Sequence, residues 1–173
     1  MMDGSLRIRL AALPLGKSRL AGALDFAILD AAGEAEACRV RAACEVDHLG
    51  SRIHLRGQVE GEADAHCHRC LEPYRRPVAA TFDVTLQRTA AEIEPESDVE
   101  FVPDSAVEYD LAPRVQEAVL LEEPLQLVCA PDCRGLCPQC GANLNRDACA
   151  CALPVDPRWA PLATLRARID KPA

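Results

Sequence analysis

The stretch Cys129–Cys151, CAPDCRGLCPQCGANLNRDACAC, holds six of the ten cysteines of a 173-residue chain in twenty-three residues. Six thiols this close cannot each be an independent buried side chain, so they read as metal ligands or disulfides. The most specific piece is Cys137-Pro-Gln-Cys140-Gly141. Two cysteines two residues apart aim both sulfurs at one ion, and a glycine next supplies the left-handed backbone that turns amides back toward the thiolates.

Cys149 and Cys151 need a turn to bring their sulfurs to the same point. With Cys137 and Cys140 they make a tetrahedral four-sulfur site. Cys129 and Cys133 are then left as a pair, and the other close pair in the chain is Cys67 and Cys70 in CHRC, so these four make a second site. Loop entropy bears on the choice. Closing Cys137/Cys140 onto Cys149/Cys151 spans eight residues, whereas closing it onto Cys67/Cys70 spans many tens, a difference of about 2 kcal/mol. A competing arrangement stays open: Cys129, Cys133, Cys137 and Cys140 around one ion, with Cys67/Cys70 joining Cys149/Cys151.

These residues carry a resemblance. CRGLCPQCGANLN, the earlier CHRCLEPY and the later DPRWAPLATL resemble the YceD family, bacterial proteins described as large-subunit (23S) ribosomal RNA accumulation proteins. The likeness is strongest over 66–74 and 110–165. It implies a role in producing, processing or stabilising ribosomal RNA, with no established catalytic chemistry; the partner expected with it is ribosomal RNA or, given the acidic charge of the chain, a basic ribosomal protein.

The length is that of one domain, or one domain with a small appendage, and is enough to bury a sizeable core. Hydrophobic residues make up 49% but aromatics 3%, so that core is built of Ala, Leu, Val and Ile. The N-terminus lacks a basic segment followed by an apolar run, and no stretch is apolar for long enough to cross a bilayer. A cytoplasmic monomer without membrane contact is expected. A reducing compartment disfavours structural disulfides, so the cysteines read as ligands of two zinc ions, with iron the alternative. The formal charge is −8, and each four-thiolate zinc site would add about −2. A chain this acidic is no bulk binder of nucleic acid.

Alternation of apolar and polar residues marks the strands. LRIRLAAL over 6–13 and GALDFAILD over 22–30 read as two, with a loop at Pro14, Gly16 and Lys17. From 36 to 47, Cys38, Val40, Ala42, Cys44 and Val46 share one face. Cys38 and Cys44 lie about 20 Å apart along such a strand, too far for one ion, and read as small core residues. Ile53, Leu55 and Val59 face inward on the next strand, and Val78, Ala80, Phe82, Val84 and Leu86 on the one after, which places CHRC at the tip of a long hairpin. A dithiol redox motif would want its first cysteine at a helix N-terminus, whereas here Pro73 and a returning strand follow. His66 and His68 could supply a ligand if one cysteine were spare, but flanking positions on a strand point away from Cys67, so they read as solvated or RNA-facing.

Residues 89–110 carry eight acidic side chains and none basic and read as a mobile acidic loop, a landing place for a basic protein in the sharper reading. Asp110 reads as the N-cap of LAPRVQEAVLLEE, with Val115, Val119 and Leu120 as its apolar stripe and Pro124 as its end. A last helix is expected from Pro157, burying Trp159, Leu162, Leu165 and Ile169. Arg69, Arg75 and Arg76 beside Tyr74 combine cations with an aromatic that can stack on an unpaired base, a candidate RNA contact.

The expected fold is α+β: an antiparallel sheet or partly open barrel over 1–110, then over 111–173 a helix, a cysteine-rich zinc module and the C-terminal helix. No set of acid, base and open metal position points to an enzyme, and no catalytic or organic cofactor site is read. The expected function is a non-enzymatic ribosome-biogenesis factor, the alternative a redox-responsive zinc protein.

Overall fold

A computed structural model describes residues 6–29, 33–88, 99–152, 157–159 and 162. The chain forms two compact units, one of residues 1–67 with 72–129, the other of 68–71 with 130–173.

The first unit is built on four long strands: β2 (Gly16–Leu29), β3 (Ala35–Leu49), β4 (Arg52–His66) and β5 (Pro73–Gln87). Each pairs antiparallel with the next. Three-residue strands frame them: β1 (Arg7–Arg9) before, β6 (Val99–Phe101) and β7 (Glu108–Asp110) after. The order is β2-β3-β4-β5-β6, with β1 and β7 as a separate antiparallel ribbon. This is an open sheet rather than a closed barrel, and β6 joins it parallel to β5, so the sheet is mixed.

The alternation sets which face is buried. Cys38, Val40, Ala42, Cys44 and Val46 of β3 are at most 4% exposed, as are Ile53, Leu55 and Val59 of β4. The opposite face is polar and laced by cross-strand ion pairs, Arg19–Glu45 at 2.8 Å and Arg56–Asp83 at 2.9 Å among them. Gly57 faces Phe82 across β4 and β5, and a Cβ there would run into the Phe82 ring. The glycine lets the ring lie flat on the sheet.

Against the buried face pack Ile8, Leu10, Tyr109 and Leu111 and the helix α1 (Ala112–Leu121). Its N-cap position is Leu111, one residue beyond the Asp110 expected. The Asp110 carboxylate still accepts the Ala112 N–H at 2.9 Å, satisfying one of the helix's unpaired donors. The buried stripe is Ala112, Val115, Ala118 and Val119. Leu120, expected on that stripe, is 50% exposed, because the tight i, i+3, i+4 spacing passes to Ala118 and Val119 instead.

Residues 99–110, expected as part of a mobile loop, form β6 and β7. Tyr109 is buried, and its hydroxyl donates to Glu100 at 2.9 Å. Arg114 from α1 binds the same carboxylate at 2.9 Å. The acidic residues 92–98 lie outside the described residues. The LRIRLAAL segment is shorter than expected as strand, turning into a 3-10 helix at Leu10–Ala12, while β2 begins earlier, at Gly16.

In the second unit the described residues form turns held by local hydrogen bonds and an isolated bridge between Leu136 and Asn143. Of the expected C-terminal helix, the described residues show a 3-10 turn at Pro157–Trp159 and a helical Leu162. Trp159 and Leu162 are exposed rather than buried, and Leu165 and Ile169 lie outside the described residues.

Candidate metal centres

The CHRC turn closes the β4–β5 hairpin. The Cys67 N–H donates to the Glu72 carbonyl at 3.0 Å, and Leu71, directly after Cys70, sits in the left-handed region at φ 59°. Gly141 takes the same conformation directly after Cys140, at φ 73°. The two knuckles therefore share one backbone bend, built once on leucine and once on glycine.

Arg69 anchors its knuckle within the second unit. Its carbonyl accepts the Leu136 N–H at 3.0 Å, and its guanidinium donates to the Cys133 carbonyl at 3.1 Å. Gly135, at φ 74°, leaves room for that approach: a Cβ there would lie 3.0 Å from the Arg69 carbonyl oxygen. The Asn145 amide donates to Cys133 Sγ at 3.4 Å, a thiolate contact that the sequence reading missed. The pair of asparagines in GANLN was its signal, since the Asn143 side chain likewise accepts the Asn145 N–H at 3.0 Å in the local manner of Asx turns.

The second knuckle is closed by the Gly141 N–H donating to the Cys137 carbonyl at 2.9 Å and the Cys137 N–H to the Ala142 carbonyl at 2.8 Å. Cys149 Sγ stands 3.4 Å from Cys137 Sγ and 3.5 Å from Cys140 Sγ. The Cys151 N–H points at Cys149 Sγ from 3.4 Å, which is the turn that lets these two cysteines converge. Amides from Cys140 and Gln139, together with the neighbouring Cys149 thiol, pull the Cys137 thiol down to about 6. Cys151 is pushed up to about 12 by Cys149 and Cys140 beside it. Four sulfurs this close do not all ionise without a cation among them.

The sulfurs of Cys67, Cys70, Cys129 and Cys133 lie within 4.8 Å of one another, as do those of Cys137, Cys140, Cys149 and Cys151. A tetrahedron with metal–sulfur bonds of 2.3 Å has edges of about 3.8 Å, so both donor sets fit one ion each. The competing arrangement is thereby excluded: Cys67/Cys70 meet Cys129/Cys133, not Cys149/Cys151. In the first set Cys67, Cys70 and Cys133 are buried and Cys129 exposed; in the second Cys137 is buried and Cys140 and Cys151 exposed. Cys38 and Cys44 stay in the sheet core, where burial pushes Cys44 up to about 11.

The candidate RNA contact is largely taken up by the protein itself. Arg76 is buried, its guanidinium 3.2 Å from the Glu123 carboxylate. Arg75 pairs with Asp64 at 3.4 Å and Glu62 at 3.9 Å, and Arg69 is bound as described. Tyr74 is half-buried. His66 is exposed, as expected, and its ring also pairs with the buried Glu36 at 2.9 Å.

The family model described as large ribosomal RNA subunit accumulation protein YceD matches residues 55–166, a span containing all eight clustered cysteines. The chain belongs to the YceD family. Among curated relatives, an uncharacterized protein of Mycobacterium tuberculosis is 35% identical over 123 residues, covering 69% of this chain and 58% of that protein. The large ribosomal RNA subunit accumulation protein YCED homolog 1, chloroplastic, of Zea mays is 28% identical over 152 residues, covering 71% and 52%. Its Arabidopsis thaliana counterpart is 23% identical over 160 residues, covering 76% and 50%. The chain thus spans between half and six-tenths of the length of these relatives. No solved structure matches this YceD-family chain.

Proposed function

We propose that the chain is a non-enzymatic factor supporting accumulation of large-subunit (23S) ribosomal RNA in the bacterial cytoplasm, with two structural zinc ions. The observation that carries this is the family match over 55–166, which encloses both four-cysteine sets. Closed four-thiolate sites are of the structural kind, because a catalytic zinc keeps one position for water. Zinc is preferred to iron as the default occupant of cysteine knuckles. When bound, it would fix the two knuckles and neutralise part of the thiolate charge. No helix among the described residues is long and apolar enough to cross a membrane.

The partner we infer is a basic ribosomal protein, or ribosomal RNA reached through one. The formal charge of −8 becomes about −12 with both sites filled by zinc, and Arg69, Arg75 and Arg76 are engaged within the chain. Deleting the gene should lower the ratio of 23S to 16S ribosomal RNA. The intact gene should restore it, while one encoding Cys137→Ser should not. An unchanged ratio in the deletion strain would refute the reading.

A redox response is the second reading, favoured by exposure of Cys129, Cys140 and Cys151. Oxidation would release metal. Rapid alkylation of these cysteines in the zinc-loaded protein, with loss of zinc, would put it first.

A further inference from the structure

β2 forms one edge of the five-stranded sheet, and among the described residues no strand pairs with its outer side. At 14 residues it is nearly as long as the strands inside the sheet. It contains no proline and no charge on its inner face, two of the devices by which natural edges avoid pairing. Its inner-face residues Leu20 and Phe26 are only partly buried, although both pack on the core. At the strand's ends, Leu29, its last residue, is 70% exposed, and Leu15, just before it, 75%.

The strand is complementary to itself. Laid antiparallel on a copy, with a two-fold axis at Gly22, it sets Arg19 opposite Asp25 on the outer face and Leu20 opposite Leu24 on the inner one. Ser18 then faces Phe26, and the same register carries Leu15 toward Leu29. Sliding by two residues one way sets Lys17 opposite Asp25 but leaves Leu20 against Gly22 and Arg19 against Ala23. Sliding the other way leaves Asp25 against Ala21 and Arg19 against Ala27, so the register at Gly22 is the one that matches charge on one face and leucine on the other. Sliding by one sets inner-face positions against outer-face ones. At the axis stand Ala21, Gly22 and Ala23, whose small side chains let two backbones meet. Leu6 fills the space a Gly22 Cβ would take, so one Leu6 from each copy lies beside the axis.

We propose that the chain is a homodimer in which two β2 edges pair antiparallel about a two-fold axis at Gly22, joining two five-stranded sheets into one. This replaces the monomer expected from the sequence. Opposite charges placed across strands attract and like charges repel, and a two-fold interface repeats each such pair.

Sedimentation equilibrium on the zinc-loaded full chain tests it. The expected mass is twice the chain's 18.7 kDa. Arg19→Asp and Asp25→Arg should each weaken the dimer on the order of tenfold in dissociation constant, since each reversal acts twice. The double variant Arg19→Asp/Asp25→Arg should restore it. Both side chains are exposed, so all three should keep the wild-type circular dichroism and zinc content. Because Arg19 also pairs with Glu45 at 2.8 Å and Asp25 lies opposite Arg39 within the chain, Glu45→Gln, which removes the intrachain pair alone, should leave the dimer intact. A monomer at every concentration reached, a dimer indifferent to both single reversals, or a double variant as weak as the singles would each overturn the proposal.

Discussion

Leu71 shows where residue-level reading stops. A glycine after the second cysteine of a knuckle announces a left-handed backbone, and Gly141 was read that way. Leu71 holds the same conformation at φ 59° with a side chain that disfavours it, so nothing local in CHRCL marked the bend; convergence of the four thiols imposes it. Cys38 and Cys44 were legible, because strict alternation put both in the core. Their burial has a pH consequence. Cys44 holds its proton up to about 11, against 9.0 for an unburied thiol, chiefly through burial and then through Glu45. The folded state therefore keeps this proton more tightly than the unfolded one. The resulting contribution to stability is intact below pH 9 and lost as pH rises toward 11. Urea titrations of the wild type and Cys44→Ala should show a stability gap that narrows between pH 8.5 and 10.5. A gap constant over that range would refute the assignment.

At the scale of elements, the four long strands could be read because each repeats the two-residue period many times. β1, β6 and β7 could not: three residues carry no period, and their pairings depend on partners far away in sequence, Arg7 with Asp110 and Val99 with Thr85. The run of acidic residues therefore looked like a loop even where it becomes strand. Arg76 was misplaced for a related reason. Read as part of a basic turn, it lies instead on the inner phase of β5, where Glu123 beyond α1 meets it. Neither its Nε nor its Nη2 makes a hydrogen bond, so the carboxylate 3.2 Å from Nη2 compensates it through charge. Removing one member of a buried ion pair costs more than replacing both. Glu123→Gln should lower stability by about 2–3 kcal/mol, and Arg76→Met/Glu123→Gln should recover most of that loss in the same denaturant titration. A double variant less stable than Glu123→Gln would show that the pair itself stabilises the sheet.

Across the whole molecule, the pairing of the cysteines was legible from counting and loop length, because eight thiols fall into four close pairs and one closure is far shorter than its rival. The two-unit division was harder to see, since a four-residue hairpin tip, 68–71, belongs with residues some sixty positions later. Two zinc ions per chain are expected by elemental analysis; a stoichiometry of one or none would reject the two-site assignment. Structural zinc contributes roughly 10–16 kcal/mol in isolated fingers, so each loss should be large but differently distributed. Cys67→Ser should remove one ion and lower global stability. Cys149→Ser should remove the other and, in hydrogen exchange, mainly deprotect residues after 130. Equal deprotection of β4 and β5 by both variants would contradict this.

The separation of Cys67 and Cys70 from Cys129 and Cys133 also sets a clock on synthesis. A ribosome adding about 5–20 residues per second makes the hairpin's two thiols about 3–12 s before the two that complete their set. Through that interval the newly made sheet carries a half-built site whose open coordination positions only water or a borrowed ligand can fill. An ion that closed it would be captured late, or be carried on the nascent chain from its first two ligands to its last.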